Sequence, residues 1–297
     1  MKRLSRAAEI LREAGHDTWI VPTQGPGTAG AIARRHIAEG AELILSAGGD
    51  GTINEVAGGV AHSNVPLGIL PAGTANVLAN ELGIGGGMER AAAGLDECVA
   101  TRVSMGRLRC LNGAERTRLF LSMAGIGLDA RIVYHLSMPL KARFGKAAYW
   151  IAGFSLLGRT LDEFELEVDG RKVACSFALI SKVRNYGGDL EIAQDTNLLE
   201  DRFEVVLFEG RSSFRYLKYL ARVAVRKLAG VKGVTLMHAT RICMPGVADR
   251  RIYIQADGEY AGHLPAHVEL VPDALTLLIP EAYLRRSKRA PARTQTG

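Results

Sequence analysis

Only four cysteines occur in 297 residues, and Cys98, Cys110, Cys175 and Cys243 are scattered with no Cys-x-x-Cys pair among them. That excludes a dense disulfide framework and suits a reducing cytosol. The charge-free stretch from Ala147 to Gly158 falls far short of the ~20 apolar residues a membrane-spanning helix needs. The N-terminus, MKRLSRAAEILREAG, alternates charged and apolar groups and has no continuous apolar core, so it does not read as a signal peptide. Neither a heptad nor a collagen period is present, which removes coiled-coil and collagen-like classes. No local Ser-His-Asp or Cys-His arrangement stands out. His263 and His267 are four apart, but Pro265 lies between them and argues against a helix that would turn both toward zinc. A soluble, intracellular protein is expected.

Hydrophobic residues make up 47% and charged residues 23% of the chain, values near globular averages. The length corresponds to roughly two domains. Lys and Arg number 37 against 31 Asp and Glu, a formal net charge of +6, and the excess is unevenly placed. Eight basic residues and no acid lie between Arg211 and Arg241, and five basic residues and no acid between Arg131 and Arg159. From Glu281 to the end there are five basic residues and one acid. Such patches attract polyanions, including an anionic membrane surface. Nucleic acid is not expected as a partner, because no recognition motif accompanies the basic tail.

The first hundred residues alternate helix and strand signals. Leu4, Ala7, Leu11 and Ala14 recur at helical spacing and stop at Gly15. A strand at Thr18–Val21, a helix over Thr28–Glu39 and an apolar strand at Glu42–Ser46 follow. A helix from about Thr52, a strand at Pro66–Leu70 and a helix over Thr74–Leu82 complete the pattern. Alternating βα units of this length predict a parallel sheet flanked by helices. After Cys98 the texture becomes β-rich: Phe120–Ala124, Phe164–Val168, Val173–Lys182, Phe203–Phe208, Thr235–Met244, Ile252–Ala256, His267–Val271 and Leu275–Ile279. Asp169-Gly170 is a hairpin signal, and helical patterns interrupt near Phe144–Leu157 and Ser212–Leu228. The expected class is therefore α/β plus mainly-β, with an α/β domain over 1–102, an antiparallel domain over 103–284 and a basic tail over 285–297.

The strongest chemical signal is Gly48-Gly49-Asp50-Gly51-Thr52-Ile53-Asn54-Glu55, where a buried strand runs into glycines and opens a helix. Glycines let the backbone approach a ligand closely, and a helix start offers free N–H groups to phosphate. An Asp inside such a turn is reconciled with phosphate by Mg²⁺ between them; a tight turn with an Asp cap is the plainer alternative. The next βα unit repeats the device in Pro71-Ala72-Gly73-Thr74-Ala75-Asn76, with Thr74 and Asn76 at a second helix start. Two adjacent glycine turns aimed at one sheet edge form a cleft.

This motif pair resembles the diacylglycerol kinase catalytic domain shared by bacterial lipid kinases and sphingosine kinases. The resemblance continues through Gly125-Ile126-Gly127-Leu128-Asp129-Ala130, Asn197-Leu198-Leu199-Glu200-Asp201 and Gln255-Ala256-Asp257-Gly258-Glu259, over about residues 20–280. It implies ATP-dependent phosphoryl transfer to a lipid hydroxyl at the cytosolic membrane face. It also implies a nucleotide held between a parallel α/β sandwich domain and an antiparallel β-sandwich domain. By the matching positions, Thr23, Gly48, Gly49, Asp50, Gly51, Thr52, Ile53, Asn54 and Thr74 would contact ATP, with Gly73 and Asn76 beside them. Asp201, with the backbone oxygens of Leu198 and Phe203, would match a Mg²⁺ site, and Glu259 the proton acceptor; Glu259 and Asp50 are the expected catalytic residues. On its own, Asp257-Gly258 reads equally as a hairpin turn.

Three departures from the family pattern accompany the match. The family opens with a strand and an Asn-Pro, glycine-rich loop, whereas this chain begins inside what reads as the following helix; an upstream start and a weaker hold on ATP both remain open. Val77 stands where many members carry Asp, and Arg202 where Gly is common. An NAD-kinase-like enzyme with a soluble acceptor and a degenerate binding member are the competing readings. Ser212–Leu228 places Phe214, Leu217, Ala221, Ala224 and Leu228 on one face and Arg211, Arg215, Lys218, Arg222 and Arg226 on another. That pattern fits either a bilayer surface or packing on the sandwich, and Tyr149–Leu157 either an acyl pocket or core. Oligomeric state is left open.

Overall fold

The glycine turns acquire their geometry from a short parallel sheet in a computed structural model that describes residues 2–111, 116–128, 130, 158, 160–186, 190–225, 227–245 and 252–289. The chain forms two units, Met1–Ser104 with Pro272–Gly297, and Met105–Val271. In the first, helix α1 (Lys2–Glu13) ends where Gly15 takes φ 94°. Helix α2 (Ala29–Ala38), strand β1 (Ile44–Gly48), helix α3 (Asp50–Val60), strand β2 (Leu67–Pro71), helix α4 (Val77–Leu82) and helix α5 (Met88–Ala93) follow. Strands β1 and β2 pair in parallel from Ile44↔Leu67 to Gly48↔Pro71. On the other side of β2, Leu277 of β16 (Ala266–Pro280) pairs in parallel with Leu67. Ala7, Leu11, Leu70, Ala92 and Leu95 form a core of this unit.

Three expectations change here. Thr18–Val21 forms no strand: residues 16–24 are irregular, and Trp19, Ile20 and Val21 are 75%, 42% and 41% exposed. A β pattern becomes a strand only when a neighbour accepts its hydrogen bonds, and none of the described residues pairs with this segment. Helix α4 starts at Val77 rather than Thr74, because Asn76 takes the left-handed conformation (φ 47°) in front of it. Residues 272–284, grouped with the second domain in the sequence reading, lie in the first unit. There Glu281–Arg289 forms helix α7, anchored by the buried Tyr283, whose hydroxyl donates to Glu81 Oε1 at 3.1 Å.

The second unit is antiparallel. One sheet joins β7 (Arg171–Cys175), β6 (Phe164–Val168), β13 (Arg241–Met244) and the first part of β16, alongside the pair β3 (Cys98–Cys110) and β4 (Arg116–Phe120). The other runs β12 (Val234–Ala239), β11 (Phe203–Phe208), β8 (Phe177–Ser181), β5 (Met123–Gly127), β14 (Tyr253–Ala256) and β15 (Glu259–His263). A small pair, β9 (Asn185–Tyr186) and β10 (Leu190–Glu191), lies between β8 and β11 in the chain. Leu166, Val168, Ile242 and Val268 of the first sheet share a core with Ile126, Ile180, Val205 and Ile254 of the second, which makes the unit a sandwich.

Two sequence runs expected to be single strands switch sheets midway. Val173–Lys182 breaks at Ser176 into β7 and β8, and Thr235–Met244 breaks at Thr240 into β12 and β13. Each corner is held by side chains: Ser176 Oγ lies 2.7 Å from Gly210 O and donates to it, and Asp169 accepts from the backbone N–H groups of Thr240 and Arg241 at 3.1 and 2.9 Å. Conversely, His267–Val271 and Leu275–Ile279 are one strand, β16. Helix α6 (Phe214–Ala224) follows β11. Phe144–Leu157, Tyr149–Leu157 and Asp129 lie outside the described residues.

Candidate functional site

Gly48 and Pro71 are register partners at the carboxyl ends of β1 and β2, and Ala72 N donates to Gly48 O at 2.9 Å, so both glycine turns leave the sheet side by side. A Cβ built on Gly73 would sit 2.6 Å from Gly49 Cα, and one on Gly48 would sit 2.6 Å from Thr52 Cβ. Any side chain at Gly73 would push the turns apart. Gly49 precedes α3 in an extended conformation, leaving the first-turn N–H groups of Gly51 and Thr52 without intrahelical partners. Asn54 Oδ1 and Ser46 Oγ are buried and have no hydrogen-bond partner among the described residues. A cradle that only glycine permits, free helix-start amides and an orphaned amide together fit a nucleotide's phosphates and sugar.

Several residues of the motif have work within the protein. Asp50 Oδ1 accepts from Val77 N at 2.7 Å, so its carboxylate caps α4 and ties the first turn to the second. Burial pushes its carboxyl up from the ordinary value, and the amides of Val77, Asn76, Asp50 and Leu78 hold it back. Asn76 accepts from Gly73 N at 2.8 Å and donates to Gly73 O at 2.9 Å, closing the second turn on itself. Glu55 accepts from Gly27 N at 2.8 Å and Ala29 N at 3.1 Å, capping α2 from α3. Sequence reasoning did not separate this structural carboxylate from the binding residues beside it. Thr74 is exposed at the second turn, and Thr23 is exposed in the irregular segment before α2. A cavity of 620 Å³ lined by Glu97, Pro280, Glu281, Ala282, Arg285 and Arg286 shares no residue with either turn.

In the second unit, Glu259 opens β15 directly after the turn at Asp257 (φ 48°) and Gly258 (φ 78°). Both positive angles fit a tight two-residue hairpin. Asp257 is buried, and its carboxylate accepts from Leu121 N, Ser122 N and Met123 N at 2.8, 2.9 and 2.9 Å. The hairpin is thereby fixed to the β4–β5 connection. Glu259, with 40% of its side chain exposed, pairs with Arg118 Nη2 of β4. The two acids of the Asp-Gly-Glu motif thus divide: Asp257 builds and Glu259 faces outward. Arg118 was not singled out from sequence, and its position one pleat from Phe120 on β4 gave no signal.

Leu198 and Asp201 lie on one loop leading into Phe203, the first residue of β11, but cations already stand at that loop. Lys182 is fully buried at the end of β8 and its Nζ donates to Glu200 O. Burial lowers its ammonium to about 8 against the pull of Asp201 and Glu200. Arg202 pairs with the Glu200 carboxylate. No group of three or more His, Cys, Asp or Glu suited to a metal occurs among the described residues. The one carboxylate expected there, Asp201, is exposed and already attracts the Lys182 ammonium, which offsets the charge a divalent ion would need, so these donors fit Mg²⁺ poorly. Behind the loop, Glu204 of β11 is buried and pushed up to about 7 by that burial.

Comparison with known proteins gives the family and the fold. The profile of the diacylglycerol kinase catalytic domain matches residues 1–108, and that of the YegS C-terminal NAD kinase beta sandwich-like domain matches residues 122–279. A diacylglycerol kinase of Bacillus subtilis is 29% identical over 274 residues, covering 89% of this chain and 86% of its own. One from Staphylococcus aureus is 28% identical over 272 residues, covering 90% and 83%. A diacylglycerol kinase crystal structure from Bacillus anthracis superposes with a TM-score of 0.72 at 21% identity over 95% of this chain and 92% of that one, a likeness of fold.

Proposed function

The chain belongs to the diacylglycerol kinase catalytic-domain family of lipid kinases, with a YegS-type β-sandwich domain after the catalytic one, and from that premise we propose that it transfers the γ-phosphate of ATP to a membrane-lipid hydroxyl. The observation that carries the reading is the pair of glycine turns pressed together at Gly49 and Gly73 and locked by Asp50. In this reading the phosphates lie against the backbone of Gly48, Gly49, Gly51 and Gly73, with the N–H group of Thr52 and the hydroxyl of Thr74 nearby, while Ile53 N donates to Gly49 O at 3.0 Å and holds the first turn of α3 closed. Asn54 satisfies its orphaned amide on the nucleotide, and Thr23 borders it. Asn76 and Asp50 are positioning residues that keep the two turns in register.

Mg²⁺ arriving with the triphosphate would neutralise phosphate charge. The 198–203 loop does not supply its seat. Glu259 accepts the hydroxyl proton as the lipid oxygen bonds to the γ-phosphorus and the bond to the β-phosphate oxygen breaks, releasing ADP. Arg118 pairs with that carboxylate and keeps it aimed. A diacylglycerol-like or sphingoid alcohol is the acceptor class.

Purified protein with labelled ATP, Mg²⁺ and a membrane lipid extract should yield a labelled lipid. Glu259→Gln should lower kcat by about 10²–10⁴. Labelling of a soluble acceptor in the absence of lipid would instead favour the NAD-kinase-like reading, and absence of nucleotide binding by calorimetry would end both.

A further inference from the structure

Helix α6 does not pack with the face its apolar pattern suggested. Tyr219 and Val223 are 2% and 3% exposed, and the rings of Tyr216 and Tyr219 lie 5.9 and 5.3 Å from that of Phe208. Their hydroxyls are satisfied as well, Tyr216 by Ser176 Oγ at 2.9 Å and Tyr219 by donation to Glu209 O at 3.2 Å. Aromatic stacking with satisfied phenols outcompetes a plain aliphatic stripe for the inner face. The consequence is on the outside. Phe214 is 61% and Leu217 40% exposed, Val225 just past the helix is 58% exposed, and Ala221 is exposed between them.

These four positions form a stripe at helical spacing on the side opposite Tyr219 and Val223. Lys218 and Arg222 flank it, with Lys227 one turn beyond, all exposed and with no carboxylate partner among the described residues. No acid occurs between Arg211 and Arg241. Exposed Phe and Leu beside unpaired Lys and Arg is the composition of a helix that lies in a bilayer interface, apolar side chains among the acyl chains and cations on the headgroups. None of the helices among the described residues is long and apolar enough to cross a membrane.

We propose that the outer face of α6, carrying Phe214, Leu217 and Val225 with Lys218 and Arg222 along one edge, docks the protein in the plane of an anionic lipid bilayer. This surface needs no catalytic assignment and shares with the transfer reaction only the lipid phase.

Co-sedimentation of the full chain with phosphatidylcholine vesicles, and with vesicles in which about a third of the lipid is phosphatidylglycerol, tests it. Binding is expected on the anionic vesicles only, weakening as salt rises. Replacing Lys218 and Arg222 together by Gln should weaken it about thirtyfold, from roughly one headgroup interaction's worth per charge. Phe214→Ser with Leu217→Ser should also release the protein. Lys218, Arg222 and Phe214 are largely exposed and Leu217 is 40% exposed, so the urea midpoints of these variants should stay close to the parent, and phosphorylation of a short-chain acceptor dissolved as monomer should be unchanged. Equal binding to neutral vesicles, or insensitivity to both double substitutions, overturns the proposal. So does a concentration-dependent dimer that Phe214→Ser dissolves, because the face then belongs to a second copy. Loss of kinase activity in the parent with vesicle binding intact would count against the transfer reading alone.

Discussion

Asp257 shows how much a single carboxylate holds at residue scale. It accepts three successive backbone N–H groups, from Leu121, Ser122 and Met123, at a buried site. Asp257→Ala would leave those donors without partners, and a charge-assisted bond to a buried amide contributes about 1.5–3 kcal/mol. The expected loss is roughly 3 kcal/mol or more in urea unfolding, with kcat falling as well because Glu259 sits two residues on. Glu204 gives a pH signature. Asp195 N donates to its Oε2 at 2.8 Å, the Asp195 carboxylate repels it, Arg202 attracts it, and Ser181 and His238 lie across the ladder. Its folded value is raised from 4.5 to about 7, so the neutral form is favoured in the fold. Stability from this group is therefore greatest below the unfolded value and is lost as pH climbs from there to about 7, by roughly 3 kcal/mol in all. Urea midpoints at pH 5 and pH 8 should show that slope, and Glu204→Gln should remove it.

At the scale of elements, what was legible in the sequence were the features that act through a few adjacent residues. Asp169-Gly170 takes φ 44° and 88°, the hairpin its dipeptide announced, and the two Gly turns leave adjacent parallel strands as the repeated βα pattern required. What was hidden depends on partners distant in the chain. Nothing local marks Ser176 or Thr240 as the points where a strand changes sheet, because their partners are Gly210 and Asp169. The inner face of α6 is chosen by Phe177 and Phe208 rather than by its own periodicity. The loop before β11 belongs here too: its sequence suggests a cation site, and only the fold brings Lys182, just past β8, against it at Glu200 O. Without nucleotide, Mg²⁺ and EDTA should leave the thermal midpoint unchanged. Lys182→Met should lower stability by about 1–3 kcal/mol, the usual consequence of stranding buried hydrogen-bond acceptors. A midpoint that rises with Mg²⁺ would show a divalent ion in the loop after all.

At the scale of the molecule, the proposed reaction draws on residues built into two separate cores. The glycine turns rest on β1 and β2 over Leu11, Leu70 and Leu95, and the C-terminal end of β16 returns to that sheet at Leu277. Glu259 stands on a hairpin pinned inside the sandwich. Substitutions with no shared partners act almost independently, so binding and chemistry should separate by unit. In Gly73→Ala the new methyl meets Gly49 Cα at 2.6 Å, and overpacking of this kind costs about 1–3 kcal/mol. If the turns absorb it by parting, affinity for a non-hydrolysable ATP analogue should fall about tenfold or more. Glu259→Gln leaves the turns untouched, so the analogue should bind as in the parent while kcat falls by about 10²–10⁴. Calorimetry on both variants and single-turnover kinetics on the second make the separation measurable. If Glu259→Gln weakened nucleotide binding as much as Gly73→Ala does, Glu259 would be holding the nucleotide, and the proton would need another acceptor.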